Sequence, residues 1–158
     1  MNDDKQAIEK QIIAELYEDS RVSSRKMAEK LSHSTTTISN KMKKLEDNGV
    51  IEKFTISVDH EKLGYGITAI INVIVSKKLS EMEVFISKMK GVVAVYDVTG
   101  TYDVVVIAKT RDTSELSKLV KDMLEHEHIE RTNTQVVLNV VKEDFTLPPL
   151  EIRFSKKN

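Results

Sequence analysis

The interruption at residues 59–66, DHEKLGYG, constrains the fold of this chain more than any other feature. Before it, apolar residues recur at helical spacing. After it, strand-length aliphatic runs take turns with helical stripes. The interruption itself has two glycines and no apolar periodicity, which marks a linker. With 158 residues to divide, the change of rhythm favours two small cores over one. The expectation is an α+β chain: a helical domain at 1–58, a sheet-and-helix domain at 67–142, and a C-terminal extension at 143–158.

The first part reads as three helices and a closing strand. Asp3 and Asp4 open a helix at the end where acids suit the dipole, and Ile8, Ile12, Ile13 and Leu16 form its stripe. A second helix runs from about Ser24 to Leu31 with Met27, Ala28 and Leu31 inward. Ala28 falls where the two helices of a helix-turn-helix cross closely, which calls for a small residue. The turn Ser32-His33-Ser34 follows, with Ser32 where many such motifs carry glycine. Ser34 is a suitable N-cap for a third helix over Thr35 to Asp47, and Asn48-Gly49 supplies a left-handed stop. Phe54, Ile56 and Val58 then alternate with polar residues, which predicts a strand that closes the trihelical unit.

The third helix carries the functional expectation. Ile38, Met42 and Leu45 share one stripe, so Thr36, Asn40 and Lys43 point the opposite way. Hydroxyl and amide groups at the front of a helix, with lysines behind, suit insertion into a DNA major groove. Thr36, Ser39 and Asn40 are candidates for base edges, and Thr35, Lys41, Lys43 and Lys44 for phosphates. Arg25, Ser34 and Thr37 complete the candidate DNA-binding set. Residues 21–44 hold seven cations against one acid, Glu29, a local charge of +6 within a chain of net charge −1. A solvated face on a helical bundle would more often mix the two signs. Aromatic content of 5% with no Trp makes a poor stacking platform, so double-stranded DNA is favoured over single strands.

The second part reads β-α-β-β-α-β. Ile67 to Ser76 is a buried strand, and Ser80 to Lys90 a helix with Ser80 and Glu83 at capping-box spacing, Met82, Phe85, Ile86 and Met89 inward, and Gly91 as its stop. Val92 to Thr99 and Val104 to Lys109 are strands joined by Gly100-Thr101-Tyr102-Asp103. Asp112 and Glu115 repeat the capping-box spacing ahead of a helix with Leu116, Leu119, Val120, Met123 and Leu124. A last strand spans about Ile129 to Val141. This order is the ferredoxin-like arrangement, in which two helices cover one face of a four-stranded antiparallel sheet. Ile70 and Ile74, with Val105 and Ile107, make the opposite face apolar as well. A second copy of the sheet is expected to cover it, giving a homodimer that presents two recognition helices to paired half-sites. RNA-binding versions of this fold need exposed aromatics on the central strands, and this chain has aliphatics there.

Together these residues resemble a known family. A trihelical unit, the run LEDNGVI, the segment DHEKLGYG and a β-α-β-β-α-β module containing VTGTYDVVV are similar, over about Lys5 to Lys142, to the Lrp/AsnC (leucine-responsive, or feast/famine) transcription regulators. The resemblance implies winged-helix-type DNA recognition, dimers through the sheets that can assemble into tetramers or octamers, and a small-molecule effector, in many members an amino acid. Carried over by motif, the effector site involves Gly100, Tyr102 and Asp103 of the β-turn with Thr132 and Thr134 of the last strand. Asp103 could meet an ammonium group while threonine hydroxyls take a carboxylate. The alternative is structural: Gly100 for positive φ, Asp103 as a turn cap and the threonines as strand formers. Glu127-His128-Ile129 stands where the family often has Pro-Gly-Val.

Other chemistry has less support. The four histidines, His33, His60, His126 and His128, include a pair near a helix end, where capping is favoured over metal. A haem-pathway decarboxylase-like enzyme on the same architecture is the enzymatic alternative, but no histidine lies inside a strand and no nucleophile-base pair or phosphate loop stands out. A ligand-sensing scaffold without DNA binding is the other alternative, against which the +6 window argues. No cofactor or metal is expected. No run approaches membrane-spanning length, no secretory leader is evident and there is no Cys, so a cytoplasmic regulator is the reading. The extension is expected to be flexible or to pack on its own dimer, and alternatively Leu150, Ile152 and Phe154 after Pro148-Pro149 have the spacing to add a strand to a neighbour.

Overall fold

The computed structural model describes residues 3–145. The chain divides into two compact units, one running to Ser57 and the other from Val58 to Lys142. The proline pair and the Leu150, Ile152, Phe154 alternation lie outside the described residues.

The first unit is trihelical: α1 (Asp3–Glu18), α2 (Ser24–Leu31) and α3 (Thr35–Asp47). Ile8, Ile12 and Ile13 of α1 meet Met27 and Ala28 of α2 and Ile38 and Leu45 of α3 in one core, with Leu16, Leu31 and Met42 at its margin. Both short helices start where a serine satisfies an orphan amide. Ser23 Oγ accepts from the Lys26 N–H at 3.2 Å and Ser34 Oγ from the Thr37 N–H at 3.1 Å. Ser32 closes α2 in the left-handed region, at φ 57° and ψ 42°, so the turn takes the conformation that glycine usually supplies.

The expected closing strand is absent from this unit. Residues 52–58 make no ladder, and Phe54, Ile56 and Val58 are exposed. Alternation makes a segment capable of pairing, but a strand also needs a neighbour, and among the described residues none is aligned with it. Residues 59–66 likewise differ from a loose linker. The Lys62 N–H donates to Asp59 Oδ1 at 3.1 Å and the Tyr65 N–H to the His60 carbonyl at 2.9 Å, which folds the segment into a closed turn. The bond from the Lys62 backbone holds the Asp59 carboxyl below its ordinary range.

The second unit is the expected ferredoxin-like fold. Strands β1 (Ile67–Val75), β2 (Val92–Asp97), β3 (Val104–Thr110) and β4 (Ile129–Val136) form a sheet of order β2-β3-β1-β4, with every pair antiparallel. Helices α4 (Leu79–Ser87) and α5 (Thr113–Leu124) cover one face. There Met82, Ile86, Leu116, Leu119 and Met123 pack on Ala69, Ile71, Val73, Val104, Val106 and Ala108. Pleating turns Ile70, Ile74, Val105 and Ile107 to the other face, which neither helix covers.

Several details depart from the expected elements, among them β2, which ends at Asp97 rather than Thr99. The Ser80–Glu83 capping box does not form: α4 begins one residue earlier, at Leu79, after a left-handed Lys78 with no side-chain cap, so Ser80 lies inside the first turn. The same helix ends at Ser87, before Lys90, where the Lys88 and Met89 amides bond carbonyls three residues back. Strand β4 ends at Val136, well before Val141. It is an edge strand whose one neighbour, β1, starts at Ile67, and the last rung is the Val137 N–H to the Thr68 carbonyl. The α5 cap does form, with the Asp112 carboxylate accepting from the Glu115 N–H at 2.8 Å, although Glu115 reaches back to the Arg111 amide.

Candidate nucleic-acid interface

Helix α3 exposes the stripe expected of a recognition helix. With Ile38 and Leu45 buried and Met42 half-buried, Thr35, Thr36, Ser39, Asn40, Lys43 and Lys44 lie on the exposed side. The side chains of Thr36, Ser39, Asn40 and Lys43 make no hydrogen bond or ion pair to any other described residue. Ser34 and Thr37, by contrast, serve the helix end: the Ser34 hydroxyl caps the Thr37 amide and lies 2.8 Å from the Thr37 hydroxyl.

The cations divide in a way their count did not show. Arg25 pairs with Glu29 one turn along α2, and Lys30 with Glu15 of α1. Lys41 and Lys44 both reach one oxygen of Glu9, at 2.9 and 3.2 Å. Burial alone would raise the Glu9 carboxyl, but hydrogen bonds and charge from these two lysines more than offset it, and the net displacement is downward. Arg21, Lys26 and Lys43 are the cations of the window with no carboxylate partner among the described residues.

Glu9 is the residue that the charge window missed, because it lies outside residues 21–44. A local signal for it exists. Positions 9, 12, 13 and 16 form one helical stripe, so Glu9 occupies a core-facing position of α1 and is only 9% exposed. An acid so placed needs a cation.

In the second unit, the five candidate effector residues gather near one end of the sheet, and one of them, Asp103, spends a carboxylate oxygen on the backbone. β1 runs past its last pair with β3, Val73 with Val104, so the Val75 amide has no rung on that side, and Asp103 Oδ2 accepts it at 2.8 Å. The Asp103 N–H meanwhile donates to the Val73 carbonyl at 3.0 Å. Gly100 takes φ +123°, a conformation that favours glycine, while Tyr102 is half-buried. Thr132 and Thr134 pair with Val73 and Ile71, on the side of β4 that follows the helix-covered face. A cleft of about 460 Å³ in this unit lies elsewhere, lined by Tyr65, Lys90, Gly91, Lys118 and Asp122 among others. The His126 ring stacks tilted on Phe85 at 4.9 Å, and its Nδ1 accepts from the His128 N–H at 3.3 Å.

Comparison with known proteins matches both halves. Residues 5–52 fit the model for a winged helix-turn-helix DNA-binding domain, and residues 68–147 fit that for the Lrp/AsnC ligand binding domain. An uncharacterized HTH-type transcriptional regulator of Pyrococcus furiosus is 48% identical over 90% of this chain and 97% of its own length. The HTH-type transcriptional regulator FL11 of the same organism is 38% identical over 89% of this chain and 94% of its own. Among solved structures, AsnC of E. coli superimposes with a TM-score of 0.81 at 21% identity, covering 90% of this chain and 97% of that one. A transcriptional regulator of Neisseria meningitidis in complex with L-Met gives 0.80 at 24% identity, covering 89% and 94%.

Proposed function

The chain belongs to the Lrp/AsnC family of transcriptional regulators, with a helix-turn-helix DNA-binding domain and an Lrp/AsnC ligand-binding domain, and from that premise we propose that it reads double-stranded DNA as a dimer whose occupancy a small metabolite adjusts. The observation that carries the reading is the unpartnered stripe on α3. Thr36, Ser39 and Asn40 address base edges, Thr35 and Lys43 address phosphates, and Ser34 with Thr37 holds the helix end that carries them. Arg25 is exposed enough to leave Glu29 for the DNA backbone.

The second copy belongs on the uncovered sheet face. Ile70 lies opposite Ile107, and Val105 and Ile74 extend the same apolar surface, punctuated by Asn72 and by Lys109 bonded to the Thr68 hydroxyl. A face of this kind is normally covered in water, and two-fold pairing covers it with itself. Tetramers or octamers of such dimers follow if further surfaces pair.

The effector proposed is an amino acid, the class bound by the Neisseria meningitidis protein in its L-Met complex. It would lie beside Gly100, Tyr102 and Asp103, with Thr132 and Thr134 across the sheet end. Asp103 keeps one carboxylate oxygen for an ammonium group, since Oδ2 is taken by Val75. Selecting duplexes from a random pool, with and without each amino acid, tests both parts. Enrichment of a two-fold-related motif that one amino acid strengthens or weakens supports the reading. Binding without any sequence enrichment overturns it.

A further inference from the structure

We infer that Glu9 sets the specificity of the DNA-binding unit by occupying Lys41 and Lys44 of the recognition helix, so that the more exposed Lys44 does not bind phosphates of any sequence. The inference rests on the reading that α3 meets DNA. Lys41 and Lys44 stand three residues apart on one flank of α3, and both ammonium groups converge on Glu9 Oε1, at 2.9 and 3.2 Å. Glu9 thus takes the place that a phosphate oxygen would take against the same pair. Its carboxylate is nearly enclosed, and its anchor is firm because α1 presents it from a core stripe beside Ile12 and Ile13.

Competition between the two anions favours the internal one. Lys41 has a side chain only 19% exposed. Withdrawing it would leave a buried carboxylate short of its main partner. Lys44, 58% exposed, is the more easily exchanged of the two, yet leaving Glu9 for a phosphate trades one charge-assisted bond for another with little gain. Lys43, between them in sequence, points away and has no partner among the described residues. Phosphate contacts add affinity for every duplex alike, whereas base contacts distinguish them. Holding Lys41 and Lys44 back lowers the background and leaves discrimination to Thr36, Ser39 and Asn40.

The test is a salt titration of the full chain on a duplex of random sequence, followed by fluorescence anisotropy. Each released lysine that reaches a phosphate steepens the log–log slope by about 0.9. Glu9→Gln is expected to bind this duplex more tightly than the wild type, with a slope steeper by about 0.9 as Lys44 is freed. Adding Lys44→Ala should reverse that gain, which separates release of a lysine from a mere change in net charge. Lys44→Ala alone should leave the wild-type slope in place, whereas Lys43→Ala flattens it by about 0.9. An unchanged slope in a folded Glu9→Gln protein, or a flattened one in Lys44→Ala, overturns the inference. Should circular dichroism show Glu9→Gln unfolded, the Lys44→Ala comparison decides alone. A wild-type protein with no salt-dependent binding to any duplex would instead refute the DNA reading itself.

Discussion

The exposed stripe of α3 and the β2–β3 turn are both short polar runs set against an aliphatic core, and they use their polar groups in opposite ways. Thr36, Ser39, Asn40 and Lys43 satisfy nothing inside the described molecule, because a helix completes its own backbone bonding and leaves one face free. The turn from Gly100 to Asp103 closes a sheet whose backbone must be satisfied from outside each strand, and Asp103 is drawn into that task where β1 runs past the start of β3. A polar residue on the free face of a capped helix therefore has capacity for a partner. One at a strand end must first be shown to have any left.

The widest contrast is between the face proposed to meet a second copy and the face proposed to meet DNA. Ile107→Asp, on the uncovered sheet face, should convert a dimer to monomers in sedimentation and lower operator affinity by about 100-fold or more, since two linked sites gain about 10²–10⁴ over one. A monomeric wild type, or an unaltered mass in the variant, would break the proposed pairing.

Within the turn, Asp103→Ala strands the Val75 amide and should cost the second unit about 1–3 kcal/mol in denaturant unfolding, with Asp103→Asn recovering part of it. Lost effector binding at full stability would move Asp103 to the ligand side of the comparison. On α3 the pattern should invert. Asn40→Ala should leave stability within about 0.5 kcal/mol while reducing discrimination between operator and mismatched duplex by about 1–3 kcal/mol. Ser34→Ala, which removes the cap, should lower stability by about 1 kcal/mol.

The smallest effect is a pH dependence. The Glu9 carboxyl is lowered in the folded chain from an ordinary value of 4.5. Its contribution to stability is therefore complete above that value and is lost as pH falls through the lower, folded one. The stability gap between wild type and Glu9→Gln should be widest near neutrality and close in acid. A gap that persists in acid would mean that shape, not charge, holds Glu9 between α1 and α3.

Much of this was legible from residue spacing. The stripes of α1, α2 and α3, the Ser34 cap, the β-α-β-β-α-β order and the inward residues of α4 and α5, apart from the exposed Leu124, all follow from interactions within one or two helical turns, or from strand alternation. The misses share a cause. Phe54, Ile56 and Val58 have the alternation of a strand but no neighbour among the described residues, and β4 stops where β1 does. At Ser80 and Glu83 the spacing of a capping box was present, but the helix began a residue earlier.

Residue order alone determined where the five helices and the four sheet strands of the described residues lie, though not all their ends, which sides of them turn inward, and that the chain carries a helix-turn-helix ahead of a ferredoxin-like sheet. Those outcomes depend on contacts a few residues apart, which a linear pattern records directly. Only the tertiary structure decided which charged and polar groups remain available. Lys41 and Lys44 meet Glu9 from 32 and 35 residues away, and Asp103 meets Val75 from 28. A charge count over a window cannot contain a partner that folding brings in from outside it.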